Sequence, residues 1–269
     1  MVLLHEAVSQ NSIQEVQRLI DSGIDANEET LNFEGTALHI AAYQGYERIA
    51  RVLILNGANI EAKRDSGLTP LHLATQQNNF NIIKLLLGHK AKINETSNKL
   101  ETALHIAARE GYDDLAEFLI FHGAETDIKN KDGYTPLHFA MKCPKIVNIL
   151  LKHGANLNET TNCHQTVLHL AVLNGCEGVA EILLSRNASV NAKDINGFTP
   201  LHLASKENKI NIVSLLLQNG AKINETTRAL EMPLHIAAKN GHTEIVQTLI
   251  SNGAPINSRN RHGFTPLYW

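Results

Sequence analysis

Residues 67–91 read GLTPLHLATQQNNFNIIKLLLGHKA, and residues 197–221 read GFTPLHLASKENKINIVSLLLQNGA. The Leu-His pair of these two segments recurs along the chain, with its histidine at positions 5, 39, 72, 105, 138, 169, 202 and 235. Successive histidines are 34, 33, 33, 33, 31, 33 and 33 residues apart. A fixed period of this length predicts a solenoid, in which each repeat buries its apolar face only against its neighbours.

The residues of one repeat favour two short helices. Thr69 suits an N-cap because its side-chain oxygen can accept from the first free amides of a helix. Pro70 suits the first helical position, where no N–H is needed. Apolar residues at 71 and 74, and then at 82, 83, 86 and 87, follow with helical spacing. Neither helix is long enough to be stable alone, so stacking must stabilise them, and we expect an all-α fold.

The recurring T-P-L-H-x-A string resembles the ankyrin repeat, whose period is about 33 residues. The resemblance covers essentially the whole chain. It implies a turn and two antiparallel helices per repeat, stacked into a curved array that binds other proteins. On this basis residues 1–269 are expected to form a single array of eight full repeats and the start of a ninth. The repeats are expected to start near residues 1, 34, 67, 100, 133, 164, 197, 230 and 263.

The end of the second helix calls for a residue in the left-handed conformation, which glycine adopts without steric penalty. Most repeats place glycine there, at Gly23, Gly57, Gly123, Gly154, Gly220 and Gly253. Asn187 and Lys90 depart from this pattern. Because lysine is disfavoured in that conformation, either local strain or a loosened helix end is expected near Lys90, with Gly88 as the candidate to take over the turn.

The repeats alternate in pairs of about 66 residues, which indicates tandem duplication. Odd repeats open with a turn that contains glycine, whereas even repeats lack that glycine and follow Asn-Glu-Thr strings at 94–96, 158–160 and 224–226. The repeat between His138 and His169 is short, and the loss falls at residues 141–144. Pro144 suits the first turn of a second helix, so a shortened turn between helices is expected here.

Composition narrows the classes of function. A net charge of −3, a pI of about 6.5 and the absence of Lys or Arg runs argue against nucleic acid as a partner. No segment approaches the roughly 20 apolar residues of a membrane span, and no signal peptide is visible. Three cysteines, at 143, 163 and 176, have no metal spacing, and their odd number suits a reducing compartment. The expected location is therefore cytoplasmic.

The eight repeat histidines are expected to be structural. Neighbouring helices pack about 8–10 Å apart, so histidines of adjacent repeats are too distant to share one zinc ion with bonds of ~2 Å. We expect them to form hydrogen bonds between adjacent turns: His5, His39, His72, His105, His138, His169, His202 and His235. No catalytic motif, metal site or cofactor site stands apart from the periodic pattern, so no enzyme activity is expected.

Positions that the fold does not dictate are the candidates for partner binding. The resemblance places them at the turn tips and at the ends of first helices, which line the concave face in ankyrin arrays. The candidates are Phe33, Tyr43, Leu68, Gln76, Gln77, Arg109, Glu110, Tyr134, Lys142, Phe198, Lys206, Glu207, Lys239 and Phe264. Protein or peptide partners are expected, and the chain itself is expected to be a monomer.

Two interpretations apply to the apolar or aromatic residue that precedes the repeat threonine in odd repeats. Leu68, Tyr134, Phe198 and Phe264 form a recurring set. Aromatic anchors surrounded by polar groups are typical of protein-binding surfaces. Alternatively, each ring packs on its own turn. The two interpretations are about equally favoured by the sequence.

The array also ends without completing a ninth repeat, which is expected of a piece of a longer array. An alternative function follows: a repeat segment of a larger effector, toxin or channel that localises or regulates another domain beyond Trp269. A minor alternative makes the chain a substrate, because ankyrin-like arrays are targets of asparagine hydroxylation at positions that Asn158, Asn191 and Asn224 match.

Overall fold

The structure is a computed structural model that describes residues 3–29 and 35–269. Phe33, one of the candidate contacts, lies outside the described residues. Within them the chain forms α-helices and short 3-10 helices and no strand, apart from isolated bridges between Glu29 and Thr36 and between Thr160 and Thr166. The predicted all-α fold is confirmed. The chain divides into two compact units, residues 1–131 and 132–269.

Unit 1 is a stack of helix pairs. Its helices are α1 (Leu3–Ser9), α2 (Ile13–Asp21), α3 (Ala37–Gln44), α4 (Glu47–Leu55), α5 (Pro70–Gln76), α6 (Phe80–Gly88), α7 (Ala103–Glu110) and α8 (Asp113–Phe121). The first helices pack side by side in the order α1, α3, α5, α7, and α2, α4 and α6 form a second row. We call these the first-helix row and the second-helix row.

Unit 2 repeats this arrangement. Its helices are α9 (Pro136–Phe139), α10 (Pro144–Lys152), α11 (Val167–Leu173), α12 (Glu177–Ser185), α13 (Pro200–Lys206), α14 (Ile210–Gln218), α15 (Pro233–Lys239) and α16 (Thr243–Ser251), with 3-10 turns at Ala140–Lys142 and Pro266–Tyr268. Its first-helix row runs α9, α11, α13, α15, and its second-helix row runs α10, α12, α14, α16.

The core lies between helices of successive pairs. In α5 the side chains of Leu71, Leu73 and Ala74 are buried, while α6 buries Ile82 and Leu86 on the facing side. The helical spacing of the sequence assigned Leu71, Ala74, Ile82 and Leu86 to this apolar face, whereas it did not assign Leu73. Each pair therefore closes its core only when a neighbouring pair covers it, as expected of a solenoid.

The short repeat keeps its stack by shortening the first helix. Helix α9 has one turn and continues as the 3-10 turn of residues 140–142. Pro144 then occupies the first position of α10, as predicted. The deletion is absorbed before α10, whose nine residues match the other second helices. Lys142, a candidate contact, is the exposed last residue of this 3-10 turn, whose other two residues, Ala140 and Met141, are buried.

The prediction at the end of α6 is wrong in one respect. Lys90 itself adopts the left-handed conformation, with a φ of 68°, and Gly88 remains the last residue of the helix. The hydrogen bond from the Ala91 amide to the Leu86 carbonyl, 3.0 Å long, closes the helix end as in the other repeats. The stacked neighbours fix this geometry, so lysine accepts a conformation that costs roughly 1–2 kcal/mol.

Candidate functional site

The repeat histidine of α5 has a defined orientation. The Nδ1 atom of His72 accepts from the Thr69 backbone N–H at 3.2 Å and lies 2.8 Å from the Thr69 hydroxyl. Its Nε2 atom lies 3.0 Å from the carbonyl oxygen of Glu101, in the next repeat. Because a carbonyl only accepts, the proton is on Nε2, and Nδ1 is left as the acceptor. The neutral ring therefore joins the start of its own helix to the following turn.

The predicted threonine N-cap is confirmed, and its hydroxyl has a second partner. The hydroxyls of Thr102 and Thr199 accept from the amides of His105 and His202 at 3.5 Å, a long hydrogen bond. Each hydroxyl also donates to the Nδ1 atom of the same histidine at 2.8–2.9 Å. The histidine ring therefore adds a second, shorter bond to the cap of its own helix.

Other repeat histidines use Nε2 in the same way. The Nε2 atoms donate to carbonyl oxygens at 3.0–3.2 Å: His5 to Gly35, His39 to Leu68, His169 to Phe198, His202 to Glu231, and His235 to Ser258 and Phe264. His105 and His138 lie 2.9 Å from the hydroxyls of Thr102 and Thr135. The Nε2 bonds, which join one repeat to the next, hold successive turns in register.

Burial sets the protonation of these rings. Desolvation lowers the pKa of His39 and His202 to about 4, and it also lowers the pKa of His72 and His169. The hydrogen bonds to backbone carbonyls oppose this shift but are outweighed. Both ring nitrogens of each of these four residues are used within the fold. Across the described ranges no group of three or more His, Cys, Asp or Glu residues could hold a metal ion.

The ends of the first helices in unit 1 carry five candidates for partner binding. Tyr43 is 44% exposed and lines a pocket of about 280 Å³ with residues of three successive first helices, among them Ser9, Ile40 and Leu73. Gln77 and Glu110 are exposed, whereas Gln76 and Arg109 are half-buried. The Arg109 guanidinium forms an ion pair with the Glu101 carboxylate.

In two repeats of unit 1, the side chain that precedes the second helix contacts the first helix of the previous repeat. The Asn79 amide donates to the carbonyl oxygens of Ala42 and Tyr43 at 2.8 and 3.0 Å. The Tyr112 hydroxyl donates to the Gln76 carbonyl at 3.3 Å. These bonds fix the helix ends, so the candidate side chains project from a rigid backbone.

In unit 2 the corresponding positions are charged and exposed. The Nζ atom of Lys206 lies 3.6 Å from the Glu207 carboxylate, and that of Lys239 lies 4.0 Å from Glu231. The ring of His242 donates to the Lys206 carbonyl at 3.0 Å. Exposed ion pairs of this kind stabilise little, so these side chains are available for other contacts.

The recurring apolar and aromatic set is half-buried. The ring of Tyr134 makes an edge contact with His138, at 5.7 Å between centroids, and stacks on Phe139 at 5.4 Å. Phe198 makes the same edge contact with His202 at 5.8 Å, and Phe264 stacks on Tyr268 at 4.1 Å. Each ring in unit 2 thus packs within its own repeat. This geometry favours the packing interpretation, and Leu68 in unit 1 is likewise half-buried.

The turn tips form a backbone ladder that the sequence did not disclose. In unit 1 the Asn98 amide donates to the Ser66 carbonyl, and the Lys131 amide donates to the Lys99 carbonyl, both at 3.0 Å. The ladder explains Gly67, because a Cβ atom there would lie 2.4 Å from the Asn98 amide nitrogen. In unit 2 equivalent bonds join residues 132 to 162, 163 to 195, 196 to 228 and 229 to 261.

Even repeats keep the left-handed turn without glycine. Leu100, His164 and Leu230 have φ values of 58°, 58° and 57° and stand where odd repeats have glycine. Leu100 and Leu230 are 43% and 50% exposed. The signal was present in the sequence, because these residues align with Gly67 and Gly197 at the repeat period. The even repeats therefore keep the same turn and place a strained residue in it.

The three asparagines considered for hydroxylation are not equivalent. The Asn191 side chain accepts from the Lys222 amide at 2.8 Å and donates to the Gly220 carbonyl at 3.1 Å. Asn158 accepts from the Ser189 amide at 3.0 Å. The residue that corresponds to Lys222 one repeat later is Pro255, which would face Asn224. Proline lacks an amide hydrogen, so it cannot donate to the Asn224 side chain. Their modification stays a prediction.

Comparisons with known proteins agree with this architecture. A family described as "Ankyrin repeats (3 copies)" matches residues 4–97, 104–194 and 159–227, and two families described as "Ankyrin repeats (many copies)" match residues 216–267 and 77–120. Serine/threonine-protein kinase 12 of Arabidopsis thaliana is 38% identical over 69 residues, which are 26% of this chain and 15% of that protein. The chain thus matches well under two thirds of the length of that relative.

In the described ranges no helix has the length and apolarity to cross a bilayer. Ankyrin repeats are generally protein–protein interaction modules and are typically non-enzymatic. The family matches span most of the sequence, and the helix pairs, threonine caps and linking histidines recur where those matches lie. The chain belongs to the ankyrin-repeat family.

Proposed function

We propose that this chain is a non-enzymatic interaction scaffold that binds protein or peptide partners through the ends of its first helices and its turn tips. The observation that carries the proposal is the pocket of about 280 Å³ beside Tyr43, at the first-helix row of unit 1. Tyrosine is enriched among residues that dominate binding energy. The backbone around it is held by Asn79, so a partner would meet a preorganised surface.

We also propose that the chain has no enzymatic activity. Burial lowers the pKa of His39, His72, His169 and His202, and each of these rings uses both nitrogens within the fold, so they are unsuited to proton transfer or metal binding. The negative net charge of −3 disfavours nucleic acid. A cytoplasmic location fits the odd number of free cysteines. The chain is proposed to be a monomer, so light scattering on the purified chain should give a mass near 29.6 kDa.

The test compares the first-helix row with the second-helix row. Partners would first be captured by crosslinking in lysate and then purified. Calorimetry would measure the affinity of each partner for wild type, for Tyr43→Ala/Gln77→Ala and for Lys206→Ala/Lys239→Ala. The matched control is Leu55→Ala, because Leu55 is 70% exposed at the end of α4. We expect at least one variant to lose about tenfold in affinity and the control to bind as wild type.

Equal binding by wild type and both variants would contradict the use of the first-helix row. Circular dichroism on every variant separates lost binding from lost folding. The residues chosen lie at the surface, where substitutions usually change stability by about 0.5 kcal/mol or less.

A second candidate is a repeat segment that localises or regulates another domain of a larger protein. It is supported by the match to a protein named as a kinase, in which the aligned residues are only 15% of the length. An antibody against residues 67–91 would recover the native protein for intact mass measurement. A native polypeptide of about 29.6 kDa would reject this candidate, and a much larger one would support it.

A further inference from the structure

Three consecutive turn tips of unit 2 lie along one edge. They are formed by residues 194–197, 227–230 and 260–263. The Arg228 amide donates to the Asn196 carbonyl, and the Arg261 amide donates to the Ala229 carbonyl, both at 3.0 Å. These backbone bonds bring side chains from three repeats onto one continuous surface, which we call the tip edge.

The tip edge exposes two large apolar side chains. Ile195 is 39% exposed, and Leu230 is 50% exposed. Leu230 also has a φ of 57°, while the adjacent tips place Gly197 and Gly263 in the same conformation. A leucine in this region costs roughly 1–2 kcal/mol more than a relaxed residue. Leu230 keeps this strained turn at a cost to folding, as Leu100 does in unit 1, and its exposed side chain is an apolar group that the fold leaves uncovered.

The tip edge is also basic. Arg228, Arg259 and Arg261 are exposed, and within residues 132–269 none of them has an ion pair in the structure. Two of the guanidinium groups donate to backbone carbonyls, Arg259 to Gly263 and Arg261 to Arg228. Each keeps further donors directed to solvent, because a guanidinium carries five N–H groups.

The carboxylates around the tip edge are already engaged. Asp194 accepts from the amides of Asn196 and Phe198, both at 2.8 Å. Glu231 lies 4.0 Å from the Nζ atom of Lys239. Asp194 keeps its negative charge in these bonds, but no carboxylate of residues 132–269 forms an ion pair with the three arginines.

We propose that the tip edge binds an acidic segment of a partner protein that presents a large apolar side chain. The apolar group would lie against Leu230 and Ile195, and the flanking carboxylates would pair with Arg228 and Arg261. Arginine pairs with carboxylate in a bidentate geometry, and charge complementarity makes such docking fast and selective. The proposal rests on the proposed function as a protein-binding array, and it specifies the partner chemistry for three of the turn tips.

Leu100 of unit 1 is a built-in control. It shares the strained conformation, with a φ of 58°, and it is 43% exposed. Its own turn carries Lys99 and no arginine. Arg186, an exposed residue after α12, serves as the control for charge.

The experiment begins with random peptides displayed on phage and selected on the full chain. Enriched peptides would be labelled with fluorescein and titrated by anisotropy against wild type, Arg228→Glu/Arg261→Glu, Leu230→Gly, Leu100→Gly, Arg186→Glu and Tyr43→Ala. We expect acidic peptides with a leucine or aromatic residue, and a loss of about tenfold in affinity with the first two variants. Leu100→Gly and Arg186→Glu should bind within about twofold of wild type.

Leu230→Gly has a second readout, because glycine relieves the strain. Its urea midpoint should equal or exceed that of wild type while its binding falls. Loss of binding with a lowered midpoint would mean that Leu230 is structural, which overturns its part in the contact.

The outcomes separate this inference from the proposed function. Enriched peptides that are basic or neutral, or that bind the double charge-reversal variant as well as wild type, overturn the tip edge. If their binding is instead lost with Tyr43→Ala, the first-helix row remains as the binding surface. A thymidine oligonucleotide serves as a nucleic-acid probe. If it binds more tightly than every acidic peptide, and if its binding is lost in Arg228→Glu/Arg261→Glu, the tip edge is overturned as a peptide-binding surface. Failure to enrich any peptide counts against both.

Discussion

Acid should weaken the fold through the repeat histidines, and the size of the effect follows from their burial. His39 and His202 have pKa values lowered from 6.5 to about 4 in the folded chain. As pH falls below 6.5, the unfolded histidines bind protons while the folded ones stay neutral. Each such residue therefore costs about 1.4 kcal/mol of stability per pH unit until its folded pKa is reached.

Between pH 6.5 and pH 5 the loss is roughly 2 kcal/mol for each of these two histidines. His72 and His169 act in the same direction, because burial also lowers their pKa. The carboxylates of Glu95 and Glu225, whose pKa is lowered from 4.5 mainly by hydrogen bonds to lysine, lose their stabilising effect only below about pH 4.5. The window above pH 5 therefore isolates the histidines.

The assay is urea unfolding followed by circular dichroism, on wild type and on His202→Gln. Glutamine can accept from Thr199 and donate to Glu231 without titrating. We expect the variant to show a shallower dependence of the unfolding midpoint on pH. His153→Gln, at an exposed position, should follow wild type. A wild-type midpoint that is flat from pH 6.5 to 5, or a variant with the full slope, would refute the reasoning.

Two further predictions concern single residues. Asn191→Ala should lower the free energy of unfolding by about 1–2 kcal/mol, since it removes both bonds to the next repeat. Asn224→Ala should lower it much less, because Pro255 offers no amide hydrogen. Equal losses of stability for the two variants in urea titrations would contradict the linking role of the Asn191 side chain. Lys90→Gly should raise the free energy of unfolding by about 1 kcal/mol, and with it the urea midpoint. The reason is that glycine adopts the left-handed conformation of residue 90 without the steric strain of lysine. A lower midpoint would indicate that the Lys90 side chain stabilises the helix end.

The sequence predicted features that depend on one repeat alone. Helical spacing located the buried faces of α5 and α6, and Pro144 located the start of α10. Features that depend on the neighbouring repeat were harder to obtain. The Nε2 bond of His72 requires the position of the Glu101 carbonyl, which is fixed by how the next repeat stacks.

The candidate site was predicted unevenly for the same reason. Tyr43 was identified from its position at a helix end, and it does line a pocket. Tyr134 and Phe198 were candidates for partner anchors, but their rings lie against the histidine four residues later. Each ring precedes the N-cap threonine of its helix, so helical spacing alone does not give this contact. Leu230 was missed because residue type was compared between repeats without the backbone conformation that the turn imposes.

The linking histidines have a consequence for synthesis on the ribosome. The acceptor for the His72 ring is a carbonyl 29 residues further along the chain, and the same separation recurs at His39, His169 and His202. A nascent repeat therefore cannot complete its own hydrogen bonds until the opening turn of its successor has been translated. Folding should trail elongation by about one repeat, so that the growing chain always carries a single unfinished repeat at its C-terminal end.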